Sequence, residues 1–506
     1  MAPLQQTTET LISEAEELTP IQQFYKDKSI FLTGATGFLG KVIIEKLLRS
    51  CDINTMYILV RNKQGKNMDI RCEELFDDAI FDTLKQEKPK FRRKIVSIGG
   101  DCVLPGLGID SAARQVLREN VNIVFHVAAT VRFDEKLKTA LGINVNGSRE
   151  MMLLCREIHN LQSFVHVSTA YANCNRMAIE EKVYRQTLTG ENAIKLMDCL
   201  DDKTLEAITP QLISGWPNTY TYTKCLAEDL VKTMSTDLPV VIFRPAIVIP
   251  TYKEPVTGWI DNVYGPTGLV VGVGTGVLRV FRSNPDNIAE IVPVDMVCNS
   301  LLASAWDVSN NKYDEPPVYN YVASTQNPVT WRQYMEYGNE NGRKIPLLKT
   351  LWYNTFTTTP SKFLFGILAF FYHTIPGFFM DCGLLASGRK PKMARLYKKI
   401  HKFCDAMGFF ATRTWTFTNP NVERLWSTLD EEDQKLFFFN IADIDWNETI
   451  GCSMLGIRQY LAKEDPATIP AALKRAEWLK ILHYGLLLTL YSLVMLFFYV
   501  LYRLFW

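Results

Sequence analysis

Ser29-Ile30-Phe31-Leu32-Thr33-Gly34-Ala35-Thr36-Gly37-Phe38-Leu39-Gly40 is the stretch from which the rest of the chain is read. Ile30 to Leu32 is a short apolar run suited to a buried strand. Gly34, Gly37 and Gly40 follow at three-residue spacing, and Lys41 to Leu48 has the pattern of an amphipathic helix. Strand, glycine turn and helix in that order predict a dinucleotide site. Glycine permits the tight turn and lets backbone N–H groups approach a pyrophosphate. The N-terminus of the following helix favours its negative charge. The residues expected to meet the cofactor are Thr33, Gly34, Thr36, Gly37, Phe38, Leu39 and Gly40.

Strand and helix patterns alternate onward from this turn. Met56 to Val60 reads as a second strand and ends at Arg61, about 20 residues past the glycines, where an acid would take the ribose hydroxyl of NAD. A cation there, with Asn62 and Lys63 behind it, suits a 2′-phosphate and points to NADPH. A charged, helical excursion over 66–94 leads to the strand Ile95–Ile98. Asp101 follows it, either as a turn residue or as a contact to an adenine amine. Val121 to Val127 is a near-continuous apolar strand, as a doubly covered parallel sheet requires. Its ending in Ala128-Ala129 leaves room for a cofactor, while His126, inside the strand, reads as structural.

Phe164 to Val167 is a fifth strand that delivers Ser168 and Thr169 to its C-terminal end, where ligands bind in open α/β sheets. A long polar insert, 175–215, separates it from Trp216-Pro217-Asn218-Thr219-Tyr220-Thr221-Tyr222-Thr223-Lys224. Four-residue spacing puts Tyr220 and Lys224 on one helix face. A lysine beside a phenol favours the phenolate and is expected to lower its pKa from about 10. Such a phenol can donate and accept the proton of a carbonyl reduction. Tyr222 has Leu226 four residues on, and no basic partner. Either Ser168 or Thr169 is expected to hydrogen-bond the substrate oxygen; strand alternation lets only one point inward. Pro239 to Pro245 is the sixth strand. The alternation predicts an α/β fold with a doubly wound parallel sheet of Rossmann type.

Composition narrows the class. At 506 residues the chain exceeds one ordinary domain. A net charge of +1 gives no bias toward nucleic acid. The 11 cysteines are scattered, odd in number and without a C-x-x-C pair, which argues against a disulfide framework or a zinc site and suits a reducing compartment. No metal is expected. Residues 1–25, with Glu9, Glu14, Glu16 and Glu17 and no apolar core, read as a mobile lead-in and not as a signal peptide.

Thr33-Gly34-x-x-Gly37, His126-x-Ala-Ala, Asn144-Val145-Asn146-Gly147, Tyr220-x-x-x-Lys224 and Arg244-Pro245 together resemble the extended short-chain dehydrogenase/reductase superfamily. Longer motifs narrow the match to the fatty acyl-CoA reductase family. These are Ala129-Thr130-Val131-Arg132-Phe133-Asp134, Glu180-Glu181-Lys182-Val183-Tyr184, Glu254 to Asn262 with Gly265-Pro266, and Ile291-Val292-Pro293-Val294-Asp295. The resemblance runs from about residue 26 to the end and implies a reductase domain over 26–325 and a smaller, mostly helical, male-sterility-type domain over 326–470. It implies Asp101 beside the adenine and Asn144 holding a structural water near the active site. It also implies two hydride transfers from NADPH, taking a long-chain acyl-CoA through the aldehyde to the primary alcohol with release of CoA. Tyr220 would protonate the oxygen, Lys224 would hold Tyr220 and the nicotinamide ribose, and Cys174 and Cys225 would be bystanders. A membrane-bound sterol or small-carbonyl dehydrogenase, and a non-catalytic lipid-binding scaffold, are the competing readings; the intact glycines, Tyr220 and Lys224 speak against the scaffold.

The C-terminal third carries the membrane signals. Phe363 to Met380 is apolar and aromatic but interrupted by His373, Pro376 and Gly377. It is expected to contact membrane or to wall an acyl tunnel, with a plain core helix as the alternative. Residues 389–402 hold seven Lys/Arg and no acid, with Met393, Leu396, Tyr397, Ile400 and Phe403 as the apolar stripe of a basic amphipathic helix. Ile481 to Tyr502 is a run of 22 residues without formal charge, so 471–506 is expected to be a C-terminal transmembrane anchor. Lys474, Arg475 and Lys480 before it against Arg503 after it place the large domain in the cytosol. Endoplasmic reticulum is the favoured membrane and peroxisome the alternative; membrane lipid is the expected partner, and a homo-oligomer is left open.

Overall fold

The computed structural model describes residues 17–61 and 68–506. Glu9, Glu14, Glu16, Asn62 and Lys63 lie outside the described residues. Seven parallel strands form the central sheet: β1 (Ser29–Thr33), β2 (Thr55–Val60), β3 (Ile95–Gly99), β4 (Ile123–His126), β5 (Ser163–Val167), β6 (Val240–Pro245) and β7 (Val318–Tyr321). Their order across the sheet is β7-β6-β5-β4-β1-β2-β3. The order reverses between β1 and β4, which opens the crevice that binds ligands at strand C-termini. Phe31 pairs with Val124, Phe125 with Val165, and His166 with Ile242. The strands β1, β4, β5 and β6 are buried along their whole length, which explains why they read as unbroken apolar runs.

Helices cover both faces. α1 (Pro20–Tyr25) is a short capped helix, α2 (Phe38–Ser50) follows the glycine turn, and α3 (Met68–Phe76) opens the charged excursion. The expected lead-in therefore ends earlier than residue 25. The Tyr25 hydroxyl donates to the Leu302 carbonyl and Asp433 accepts from the Ile21 N–H, so α1 is pinned to distant parts of the chain. α4 (Thr219–Met234) carries Tyr220 and Lys224, α5 (Gly265–Gly274) is an apolar helix, and α6 (Val294–Asn310) is buried against the sheet.

Beyond residue 326 the chain is mostly helical, as expected, but its apolar residues join the core of the sheet domain. Phe437, Phe439, Ile441 and Leu425 belong to the same buried cluster as Ile30 and Val165. Two short parallel pairings tie the regions together, Thr416–Phe417 with Ala178–Ile179 and Thr357–Thr359 with Val280–Arg282. α7 (Trp331–Lys344) begins in a capping box made by Thr330 and Gln333. Lys362–Ala386 is one apolar helix with a π-turn at Phe370–Thr374. Its His373 is buried and accepts from the Arg279 N–H at 3.0 Å, while Phe363 is 80 % exposed and Phe379 66 %. The segment is thus an exposed apolar arm and not a core helix.

α8 (Met393–Ala411) is the basic helix. Met393, Tyr397, Cys404, Met407 and Ala411 form its buried face, and Leu396, expected on that face, is exposed. α9 (Ile469–Phe505) has two parts. Ala472 and Leu479 pack on the body and Arg475 donates to the Thr350 carbonyl, whereas from Ile481 onward the helix projects with its apolar side chains bare.

Candidate active site

The glycine turn is built so that backbone alone lines it. Gly34 sits at φ +77°, and a Cβ there would stand 2.8 Å from the Ala128 backbone nitrogen. A Cβ on Gly40 would stand 2.2 Å from the Gly34 carbonyl oxygen. Gly37 is the N-cap of α2 and offers no side-chain cap, so the first N–H groups of that helix are free for an anion. This cradle fits the pyrophosphate of a nicotinamide dinucleotide. Thr33 is buried beneath it: its hydroxyl pairs with His126 Nδ1 at 2.9 Å and accepts from the Ala128 N–H at 3.2 Å, locking the ends of β1 and β4 together. His126 is structural in this arrangement, and burial holds its imidazole neutral with a pKa near 3.

The Glu254–Asn262 motif is explained by the helix it clamps. Trp259 stacks on Phe38 with ring centroids 5.3 Å apart, Asp261 pairs with Lys41 at 3.0 Å, and Glu254 bridges Lys46 and Arg49 at 2.6 and 2.8 Å. The two cations outweigh burial and hold the Glu254 carboxyl down at about 2.

Arg61 is exposed at the end of β2, and the Arg71 guanidinium of α3 bonds its carbonyl. The same guanidinium donates to the Thr36 hydroxyl at 3.3 Å. Arg71 thus brings a second cation to the glycine turn, one that the sequence reading did not single out because the 66–94 excursion has no motif to place it. Asp101 follows β3 and accepts from the Val103 N–H at 3.2 Å.

At the C-terminal end of β5 the two candidate hydroxyls part company. Ser168 donates to Glu228 at 2.5 Å, inside a buried network where Arg244 pairs with Glu228 at 2.8 Å and Asn173 donates to it at 3.2 Å. The Thr169 hydroxyl accepts from the Tyr171 N–H at 3.3 Å and lies near enough to the Tyr220 phenol to pull its pKa down. Ser168 is thus turned away into the network, and Thr169 is the hydroxyl beside Tyr220. Glu228 lies one helical turn past Lys224, and its partner Arg244 gives the Arg-Pro ending of β6 its reason: the guanidinium ties α4 to the sheet and also donates to the Glu180 and Lys182 carbonyls.

Lys224 is buried and donates to the Val167 carbonyl at 2.7 Å. Burial pushes its ammonium down to about 8, opposed by the Glu228 charge. The phenol of Tyr220 does not move as expected: burial pushes it up to about 12, with the Thr169 hydrogen bond pulling the other way. The physical reason is that Lys224 is committed to the strand carbonyl, so desolvation of the phenolate prevails. Tyr222 lies 4 % exposed in a separate apolar cluster with its ring against Trp216 at 5.2 Å. Asn144, in a π-turn at Leu141–Asn146, accepts from the Thr130 N–H and donates to Thr223, both at 2.9 Å, and so braces the 130 loop against α4. Buried Cys174 and Cys225 have thiols pushed up by desolvation, the wrong direction for a nucleophile.

The mouth is aromatic and is completed from far along the chain. Phe133 stacks on Tyr220 at 6.1 Å, Phe410 of α8 meets Phe133 at 5.6 Å and Tyr171 at 5.0 Å, and Lys402 pairs with Asp134 at 2.9 Å. A protonated phenol, a hydroxyl beside it and a buried lysine, on the same sheet edge as an anion cradle, can protonate an oxygen that receives charge during a carbonyl reduction.

Two profiles, each described as male sterility protein, match residues 32–301 and 372–464. A fatty acyl-CoA reductase of Drosophila melanogaster named wat is 52 % identical over 495 residues, covering 98 % of this chain and 96 % of its own. Fatty acyl-CoA reductase 1 of Rattus norvegicus is 38 % identical, covering 92 % and 91 %. Among solved structures, the terminal R domain of the myxalamid PKS-NRPS pathway superposes with a TM-score of 0.57 at 20 % identity, covering 85 % of this chain and 90 % of its own. The reductase domain of a nonribosomal peptide synthetase from Mycobacterium tuberculosis gives 0.56 at 19 %, covering 86 % and 92 %.

Proposed function

This chain belongs to the fatty acyl-CoA reductase family, and on that premise we propose that it takes long-chain fatty acyl-CoA through the aldehyde to the primary alcohol with NADPH. The observation that carries the reading is the Thr169–Tyr220–Lys224 group on the sheet edge that also holds the glycine cradle. When bound, NADPH supplies hydride to the thioester carbon and, in a second round, to the aldehyde carbon. Each round leaves charge on the carbonyl oxygen. Tyr220, protonated at neutral pH, gives its proton to that oxygen, and Thr169 keeps the phenol aimed. Lys224 adds positive charge to the site and would hold the nicotinamide ribose. Collapse of the hemithioacetal after the first round passes its hydroxyl proton to the departing sulfur and releases CoA as the thiol, and Tyr220 takes up a proton from water before the second round. The second round ends in the alcohol.

Preference for NADPH is supported by the guanidinium of Arg61 at the end of β2 and by Arg71 at Thr36. Asp101 is assigned to the adenine, and Ala128 gives the cofactor room beside Gly34. The bare part of α9 is assigned to a bilayer, with the large domain in the cytosol, in the endoplasmic reticulum before the peroxisome. Tyr220→Phe keeps the ring and removes the proton. It should slow reduction of both acyl-CoA and added fatty aldehyde roughly 10²- to 10⁴-fold, while NADPH still quenches tryptophan fluorescence. Damage from Tyr222→Phe with Tyr220→Phe near wild type would assign the chemistry to the other phenol.

A further inference from the structure

The apolar arm Lys362–Ala386 is packed inside out. Its buried residues are Phe365, Ala369, His373, Gly377 and Asp381, a single row at every fourth position. That spacing keeps the row on one face of the helix. The buried row includes the polar His373 and Asp381, whereas Phe363, Phe370, Phe371, Phe378, Phe379 and Leu385 are exposed. A helix on the surface of a soluble domain turns its apolar stripe inward. A continuous exposed apolar face marks an interaction surface instead.

The arm is long and apolar enough to cross a bilayer, but it is pinned lengthwise to the body. Just before it, Thr357–Thr359 pairs with Val280–Arg282. In its middle His373 accepts from the Arg279 N–H at 3.0 Å, and a Cβ on Gly377 would stand 2.8 Å from the Tyr397 ring of α8. Near its end the Asp381 carboxylate accepts from the Lys392 and Met393 N–H groups at 2.8 Å and from that of Ala394 at 3.0 Å, capping α8. Crossing a membrane would break these contacts; lying along one keeps them.

The neighbours of the bare flank say what covers it. Residues 389–402 follow directly, with seven exposed Lys/Arg and no acid. Among the described residues only Lys402 of the seven forms an ion pair, with Asp134. The exit of α9 is close by. The Arg279 that bonds His373 lays its guanidinium over the Trp352 ring at 5.6 Å, and the Trp352 indole N–H donates to His483 of α9 at 3.1 Å. Aromatic side chains beside uncompensated cations, at the base of a bare apolar helix, match the chemistry of a negatively charged bilayer surface.

We propose that the arm lies in the headgroup layer of an anionic leaflet, on the cytosolic side of the bilayer that α9 crosses. Its aromatic face enters the boundary between headgroups and acyl chains, roughly 5–10 Å deep, and the cations of 389–399 meet the lipid anions. The inference rests on the assignment of α9 to a bilayer and adds to it a second, lengthwise contact that selects negative lipid. α8 starts at this surface and carries Phe410 to the mouth of the active site, so docking fixes where the mouth stands over the leaflet.

Two exposed cysteines allow the test in the full chain. Cys382 is on the arm, one turn past Phe378, and Cys199 ends the helix Gly190–Cys199 of the sheet domain. Cys199→Ser protein, labelled at Cys382 with an environment-sensitive fluorophore, is reconstituted into phosphatidylcholine vesicles with increasing phosphatidylserine. Cys382→Ser protein labelled at Cys199 is the control. Quenching is read with lipids that carry a nitroxide near the headgroup or at the chain end. The Cys382 label should be quenched chiefly by the shallow nitroxide, and only when phosphatidylserine is present; the Cys199 label should be quenched by neither. Each Lys or Arg near a negative leaflet raises the docked-to-free ratio roughly fivefold. Lys398→Gln with Lys399→Gln should therefore lower that ratio about 25-fold and raise the phosphatidylserine content at half-maximal quenching. Phe363→Asp with Phe371→Asp, at exposed positions, should leave the label in water at every composition. Quenching chiefly by the deep nitroxide, equal quenching without phosphatidylserine, or no quenching in any vesicle would overturn the proposal. The anchor is judged separately: a carbonate wash that strips the full-length chain would remove the α9 reading, while shallow, phosphatidylserine-dependent quenching in the unwashed vesicles would still uphold the arm.

Discussion

Tyr220 and Tyr222 stand two positions apart on α4 and meet opposite surroundings. Tyr222 fills an apolar cluster, whereas Tyr220 reaches Thr169 and the aromatic mouth. Lys224 carries the consequence for pH. Its ammonium is held near 8 by burial, so it loses charge as pH rises through that value, where an ordinary lysine keeps it to about 10.4. Tyr220, pushed upward, stays protonated over the same range. Since kcat/KM reports groups of the free enzyme, it should fall above about pH 8, and Lys224→Arg, which cannot deprotonate, should abolish that fall in whatever activity it retains. A flat wild-type profile between roughly pH 7 and 10 would contradict the role of Lys224. That Tyr220 and Lys224 share one face of α4 was legible because the four-residue spacing follows from helix geometry. The choice between Ser168 and Thr169 was not, because it depends on Glu228 and Arg244, which only the fold brings to the strand end. The phenol's shift was misjudged for a related reason: spacing shows that Lys224 is near, but not that the Val167 carbonyl already occupies it.

Among the elements, the strands buried along their length, β1, β4, β5 and β6, were readable as apolar runs, and β2 and the more exposed β3 also stand where short apolar runs are. β7 was missed because Asn320 interrupts its pattern; the side chain is satisfied by Arg244 and by the Ile179 and Thr418 carbonyls, partners that no local reading supplies. The basic helix α8 was readable as amphipathic, but its register against the body shifted Leu396 outward. Its Phe410 could not be linked to the active site, since nearly two hundred residues separate it from Tyr220. The helix α9 divides past Tyr484: up to there it still touches the body, with His483 accepting from the Trp352 indole N–H at 3.1 Å and Tyr484 against the Tyr353 ring, and the part after it is bare. Truncation after Tyr484 therefore removes most of the apolar run and keeps these contacts. The shortened protein should leave the membrane pellet after a carbonate wash and still reduce detergent-dispersed acyl-CoA. Unchanged membrane retention would refute the assignment of 481–506 as the anchor. The arm Lys362–Ala386, which exposes Phe363 and Phe379, would add only reversible surface contact.

For the whole molecule, the two regions recognised in the sequence share one core, and the later region supplies parts the earlier one lacks. It gives the mouth Phe410 and α1 its Asp433 partner. The sheet domain alone is thus a cofactor cradle with an incomplete substrate site. The central claim is that this assembled site performs two successive carbonyl reductions on one acyl group. The most direct measurement is stoichiometry: full-length protein in membrane vesicles receives palmitoyl-CoA and NADPH, and NADPH consumed, free CoA thiol and lipid products are quantified together. The account predicts two NADPH oxidised for each thiol released, with hexadecanol as the product. One NADPH per thiol with aldehyde as the end product, or NADPH oxidation without thiol release, would contradict it.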